Sequence, residues 1–350
     1  MNIKVRSIAS SLRSLGQAKA KAREIGYPDR ESQPLQIEDG GPKSQEDEWS
    51  NAISREFIAG GVNYFASKTV GQVYDWMFGL KKVPQFKLER PVLFVQGFAA
   101  PVGQFETALT HLTKDGANGG EPVYIKEGKF FSDPECKEST EVNSENKVFR
   151  MVHDPFSTPD QTAQQMKLAT GAMARATGSD LPDVIAHSLG GLGARRFCDL
   201  GNKIGKLAMV GTPNQGARVS MVTKSALVNG ISWATTMAGV SAAAIPALEW
   251  MVPVLNGNER LETLNDRWEI QEANTQGSIV LGATSYDTPS STAWEEPGDA
   301  LIEASALEVG DAQVKTFDGG GAKCHYTMVS DPEIFTELAS FFDWKAETPT

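Results

Sequence analysis

A strand-like run, Leu181-Pro182-Asp183-Val184-Ile185-Ala186, leads straight into His187-Ser188-Leu189-Gly190-Gly191. After it, Leu192, Ala194, Arg195 and Phe197 continue as a helix. Ser188 has a small residue two positions away on each side, Ala186 before it and Gly190 after it. The spacing has a mechanical reading. A sharp strand-to-helix turn strains the serine backbone and brings neighbouring chain so close that only Gly or Ala fits there. Such a turn lifts the hydroxyl above the sheet edge, with a helix N-terminus behind it that adds positive potential where an oxyanion would form. A serine hydroxyl becomes a nucleophile only when a positioned base takes its proton. The chain has four histidines for that role, His111, His153, His187 and His325. His111 falls in an early helix and His153 at a strand end, both ordinary places for structural rings. His187 adjoins the serine, but its side chain is expected to project away from Ser188 and to pack or hydrogen-bond locally. His325 follows the flexible stretch Gly319-Gly320-Gly321 and precedes a terminal helix from about Pro332. The five-residue pattern also fits an ordinary small-residue turn, so the surrounding elements have to decide.

Those elements alternate. Short apolar runs at Val92–Val95, Val123–Ile125, Val148–Val152, Val184–Ala186, Leu207–Val210, Ile279–Leu281 and Val314–Phe317 are separated by helical stretches. Near-continuous apolar runs predict a mostly parallel central sheet covered by helices on both faces, an α/β fold. Thr158-Pro159-Asp160-Gln161 carries a capping Thr, a Pro at the first helical position and a Gln at the third. The helix it opens runs to about Ala176 and stops at Gly178. Ahead of this domain lie a basic arm, a polar linker at residues 28 to 50 and a helical extension. The boundaries fall at 1–82 and 83–345. Between Gly216 and Arg267 an insertion is rich in apolar residues, Trp233, Met237, Trp250 and Met251 among them. It reads either as a lid or cap, at about 217–270, or as an extra structural helix pair.

Ala186-His187-Ser188-Leu189-Gly190-Gly191 resembles the nucleophile elbow of α/β-hydrolases, in the Ala-x-Ser-x-Gly version of some bacterial lipases. Pro91-Val92-Leu93-Phe94-Val95-Gln96-Gly97-Phe98 resembles the lipase strand that ends in His-Gly. Val210-Gly211-Thr212-Pro213-Asn214-Gln215-Gly216 resembles the Gly-Thr-Pro-His-x-Gly segment after the next strand. The likeness covers about residues 83 to 342, strongest at these anchors. It implies an α/β-hydrolase fold with Ser188 as nucleophile, His325 as base, and main-chain N–H groups of Phe98 and Leu189 as the oxyanion hole. For the acid it implies Asp299, in a segment like the lipase Gly-Asp-Gly-x-Val run, with Asp287 as the alternative nearer its strand end. The chain departs from the pattern in having Ala186 for the commoner Gly, and Gln96 and Asn214 where many lipases have His. Gln96, Trp233, Met237 and Trp250 are the expected substrate contacts. The implied reaction is hydrolysis of carboxylic esters with apolar acyl groups. Acyltransferase or thioesterase chemistry on the same residues, or a non-catalytic binding module, is the alternative. The likeness implies neither metal nor organic cofactor.

Composition bounds the partners. In 350 residues, 44 acidic against 33 basic side chains leave a net charge of −11, which argues against a phosphate-backbone binder and so against nucleic acid. The six basic residues between Lys4 and Arg23 instead form a basic arm, either a targeting or surface-docking segment or a solvated helix. An apolar lid would make ester or lipid substrates the expected partners, with transient contact at a membrane or lipid surface. The N-terminus lacks the apolar core of a secretory signal, which leaves cytoplasmic residence, organelle import or specialised export open. The uncharged run Ser225 to Leu248 is diluted by Asn229, Pro246 and many small residues and reads as a buried or lid-forming segment. Three scattered cysteines allow at most one bridge.

Overall fold

The structure is a computed structural model that describes residues 79–100, 103–217, 246–247, 250–251, 259–288, 296–299, 301–319 and 322–347, with backbone alone at 286–288 and 296. The expected N-terminal arm, linker and helical extension lie outside the described residues, as do Trp233, Met237 and most of the insertion.

Within them the strands run β1 (Phe86–Lys87), β2 (Val92–Val95), β3 (Val123–Lys126), β4 (Lys129–Phe131), β5 (Val148–Met151), β6 (Asp183–His187), β7 (Leu207–Val210), β8 (Ser278–Ala283), β9 (Tyr286–Thr288), β10 (Glu296–Gly298), β11 (Gln313–Phe317) and β12 (Lys345–Ala346). The helices are α1 (Glu106–Thr113), α2 (Pro159–Thr177), α3 (Leu189–Asp199), α4 (Glu259–Asp266), α5 (Trp268–Glu272) and α6 (Pro332–Phe341). Eight strands form one sheet in the order β4-β3-β5-β2-β6-β7-β8-β11. Every neighbouring pair in it is parallel except the β3–β4 hairpin. Each apolar run read from the sequence lies in this sheet, whereas β4 and the small β1–β12 and β9–β10 pairs were not expected.

The reason is burial on both faces. All four residues of β2 are fully buried: Leu93 and Val95 pack with Met166 and Met173 of α2 and Phe197 of α3. Val92 and Phe94 pack instead with Leu109 and Leu112 of α1 and Phe335 and Leu338 of α6. A strand with two apolar faces loses the polar alternation that a half-solvated sheet shows. The helices start where the residues dictate. Gln161 N donates to Thr158 Oγ1 at 3.2 Å and Thr158 N donates to Gln161 Oε1 at 2.8 Å, a reciprocal cap on α2, which ends at Gly178 in the left-handed conformation. Asp331 accepts from the backbone N–H groups of Glu333 and Ile334 to open α6.

The strand order sets the site. From β2 the chain crosses over β5's place to β3, while from β6 it moves the other way through β7, β8 and β11. The connections leaving the neighbours β2 and β6 therefore diverge, and a crevice opens beyond their C-terminal ends. The residues there are Gln96-Gly97-Phe98 and Ser188.

Candidate active site

Ser188 joins β6 to α3 with φ 54° and ψ −131°, a conformation that costs a non-glycine residue about 1–3 kcal/mol. Ordinary hydrogen bonds hold it: Ser188 N donates to Val210 O and Gly191 N donates to Ser188 O, each at 2.9 Å. The small neighbours are explained by distance. A Cβ at Gly190 would stand 2.5 Å from Gln96 O and 2.8 Å from Val95 O, both main-chain atoms. A Cβ at Gly97 would stand 2.6 Å from Ser188 Cβ and 3.2 Å from its Oγ, so the backbone at Gly97 passes close against the serine side chain.

The serine meets two of the expected residues. His325 Nε2 is 3.0 Å from Ser188 Oγ, and His325 Nδ1 is 2.8 Å from Asp299 Oδ2. All three side chains are buried. The far oxygen of Asp299 accepts from the N–H groups of Leu301 at 2.9 Å and Ile302 at 2.7 Å, so the carboxylate cannot rotate without losing both. Asp287 lies on β9, whose backbone pairs it with Pro297. Leu189 opens α3 beside the hydroxyl, and Phe98 packs edge-to-face on Phe156 with ring centroids 5.4 Å apart. Leu189, next to the serine, and Leu192 form an apolar cluster with Ala247, Trp250 and Met251 of the insertion and Leu261 and Leu264 of α4, with Phe98 packed against it.

Several sequence expectations are corrected here. The Gln96 amide, expected to contact substrate, is engaged within the protein: its Nε2 donates to His153 O and its Oε1 accepts from Arg150 Nη2, both at 3.0 Å. His187 does not bond locally. Its partners are Gln104, 83 residues earlier, and the backbone oxygen of His325, 138 residues later. Asn214 is wholly buried and ties Arg195 of α3 to Leu307 O. The other histidines stand apart from the serine. His111 faces Pro84 O and the edge of Phe335, and His153 Nδ1–H donates to Asp154 O. Burial pulls the pKa of both rings down. Cys324 is free and buried, its thiol pushed up by desolvation, so it is no competing nucleophile. The sequence carried no signal for Gln104, which only the fold brings to His187.

Among the described residues no helix is long and apolar enough to cross a membrane, and no group of three or more His, Cys, Asp or Glu could hold a metal ion.

The strand order, the strained serine turn after β6 and helices on both sheet faces define an α/β-hydrolase fold. No protein-family model matches the sequence, and no curated protein matches it. Among solved structures the chain is similar to a Bacillus licheniformis lipase in mature form, at 11% identity over 72% of this chain and 91% of that one, with a TM-score of 0.47. It is similar to a Listeria innocua gene product at 15% identity over 74% and 95%, with a TM-score of 0.46. A phospholipase from Legionella pneumophila follows at 14% identity over 73% and 63%, with a TM-score of 0.45.

Proposed function

We propose that the chain is a serine hydrolase of lipase or carboxylesterase type that cleaves carboxylic esters with apolar acyl groups. The reading is carried by one observation, the continuous contact from Ser188 Oγ through the His325 ring to Asp299. Ser188 Oγ attacks the ester carbonyl carbon and its proton passes to His325 Nε2. The N–H groups of Phe98 and Leu189 hold the resulting oxyanion, helped by the N-terminus of α3. Collapse expels the alcohol, which takes the proton back from His325, and leaves an acyl group on Ser188. A water molecule then gives its proton to His325 and attacks the acyl carbon, releasing the acid and restoring Ser188. Asp299 holds the imidazole with Nδ1–H toward itself and stabilises the imidazolium formed in each half-reaction.

The apolar acyl preference is supported by the cluster next to the serine, where Trp250, Met251 and Phe98 pack with Leu189 and Leu192. In this reading the apolar insertion at 217–270 serves as a lid that opens at a lipid–water boundary, and its Trp233, Met237 and Trp250 are the residues expected to meet the acyl chain. The test is hydrolysis of p-nitrophenyl esters of increasing chain length by the full chain and by Ser188→Ala. The variant is expected to stay folded and to lose several orders of magnitude in kcat, with fluorophosphonate labelling abolished. Unchanged turnover in Ser188→Ala would remove the serine from the reaction.

A further inference from the structure

His325 lies in the connection between β11 and α6, whose regular structure among the described residues is one short 3-10 turn, Met328–Ser330. Such a loop does not aim a ring by itself, and its backbone is pinned on both sides of the residue. His325 N–H donates to Asp299 O at 2.9 Å, and His325 O accepts from His187 Nε2 at 2.5 Å. On its other side the His187 ring is 2.6 Å from Gln104 Nε2 through Nδ1, and it is 99% buried, with the Phe105 ring edge-on at 6.4 Å.

With the Gln104 amide nitrogen toward Nδ1, the donor–acceptor chemistry leaves one protonation state. A carbonyl oxygen only accepts, so Nε2 carries the proton. An amide NH2 only donates, so the Nδ1 that faces it is bare. Adding a proton to Nδ1 would set N–H against N–H. The charge balance agrees: burial, and after it the neighbouring His325, hold the His187 pKa well below its usual value. His325 is the titratable group that bears on this ring, and Gln104 and Phe105 on the opposite side bring no charge. The two imidazoles lie 4.6 Å apart between centroids. When His325 takes the proton of Ser188, a second cation at that distance would oppose it, whereas a neutral ring does not.

We infer that His187 is a positioning residue for His325, holding its backbone carbonyl, and that Gln104 locks His187 in the neutral Nε2–H tautomer. The inference deepens the hydrolase reading and rests on it. His187→Phe keeps a ring and loses both hydrogen bonds, while His187→Gln keeps a donor that reaches the carbonyl. A misplacement of about 1 Å at a reacting group costs on the order of 10²-fold. His187→Phe is accordingly expected to lower kcat for a p-nitrophenyl ester roughly ten- to hundredfold with KM unchanged, and His187→Gln to recover most of the loss. In the 15N-histidine-labelled full chain, His187 is expected to show a protonated Nε2 and a bare Nδ1 that do not change between pH 5 and 8. Wild-type kcat in a folded His187→Phe, or a His187 ring that carries its proton on Nδ1 or titrates near neutrality, overturns the inference. The spectrum needs neither substrate nor variant, so it decides even if His187→Phe fails to fold. Loss of the hydrolase reading itself appears separately, as unchanged turnover in Ser188→Ala.

Discussion

Replacing Asp299 by Asn exchanges an oxygen for an amide nitrogen and asks whether the carboxylate acts by fixing the tautomer of His325. Oδ1 of Asp299 accepts from Leu301 N–H and Ile302 N–H, and Oδ2 faces His325 Nδ1. An asparagine amide has one oxygen. Turned toward His325, it would press its NH2 against two backbone donors, leaving buried N–H groups unpaired at about 1–3 kcal/mol each. The oxygen therefore stays on Leu301 and Ile302, and the NH2 faces His325. A donor there demands a bare Nδ1, which moves the ring proton to Nε2, 3.0 Å from Ser188 Oγ. The nitrogen that has to accept the serine proton is then occupied. A wrong tautomer of this kind costs roughly 10⁴ in kcat in the serine-protease case, which at about 1.4 kcal/mol per decade is about 5.5 kcal/mol of barrier. The assay is steady-state hydrolysis of a short-chain p-nitrophenyl ester by Asp299→Asn and Asp287→Asn, with circular dichroism to confirm folding. The first is expected to fall by three to four decades in kcat and the second to stay within about threefold of wild type. An Asp299→Asn enzyme that keeps more than a tenth of its activity, or an equal loss in Asp287→Asn, would refute the assignment of the acid.

Two further outcomes follow from the same geometry. Gly190→Ala places a methyl group 2.5 Å from Gln96 O, where no flexible side chain can yield, so β2 and the Ser188 turn have to separate. The expected result is a stability loss of about 1–3 kcal/mol in urea titration and a kcat lower by about 10² or more, because the 97–98 peptide moves with the strand. A folded, fully active variant would show that the approach is looser than described. The depressed pKa of His187 also fixes the sign of a stability effect. Below the ordinary histidine value of 6.5 the unfolded chain binds a proton there and the folded chain does not, so stability is present above that pH and is lost as the pH falls. Between pH 7 and 5.5 this amounts to on the order of 1 kcal/mol for one such group, so the unfolding free energy of His187→Gln should fall less than that of wild type. His111 and His153 act in the same direction in both proteins, and the difference isolates His187. Equal pH dependence in the two would count against a buried neutral ring.

The parallel sheet was legible in the sequence because a strand with two buried faces has to be apolar along its buried length, and β2, β7 and the Val184–Ala186 centre of β6 are. The turn at Ser188 was legible because backbone crowding leaves room only for glycine at Gly190, a constraint written two positions from the serine. The cap of α2 was legible for the same reason, its partner being three residues away. Contacts between distant segments left no such mark. Between Asp287 and Asp299 only a family likeness favoured the second, and its meeting with His325 depends on the approach of two segments 26 residues apart. Gln96 and His187 were misread because a polar side chain beside a catalytic-looking turn reads the same whether it faces the crevice or the interior. Only the packing of β2 on β5 turns Gln96 toward Arg150, and only the approach of the 322–331 loop lays His325 O on His187. Local sterics and hydrophobic periodicity are properties of neighbouring residues and can be read along the chain. A hydrogen bond spanning 138 residues is a property of the folded molecule, and three-dimensional structure alone decided it.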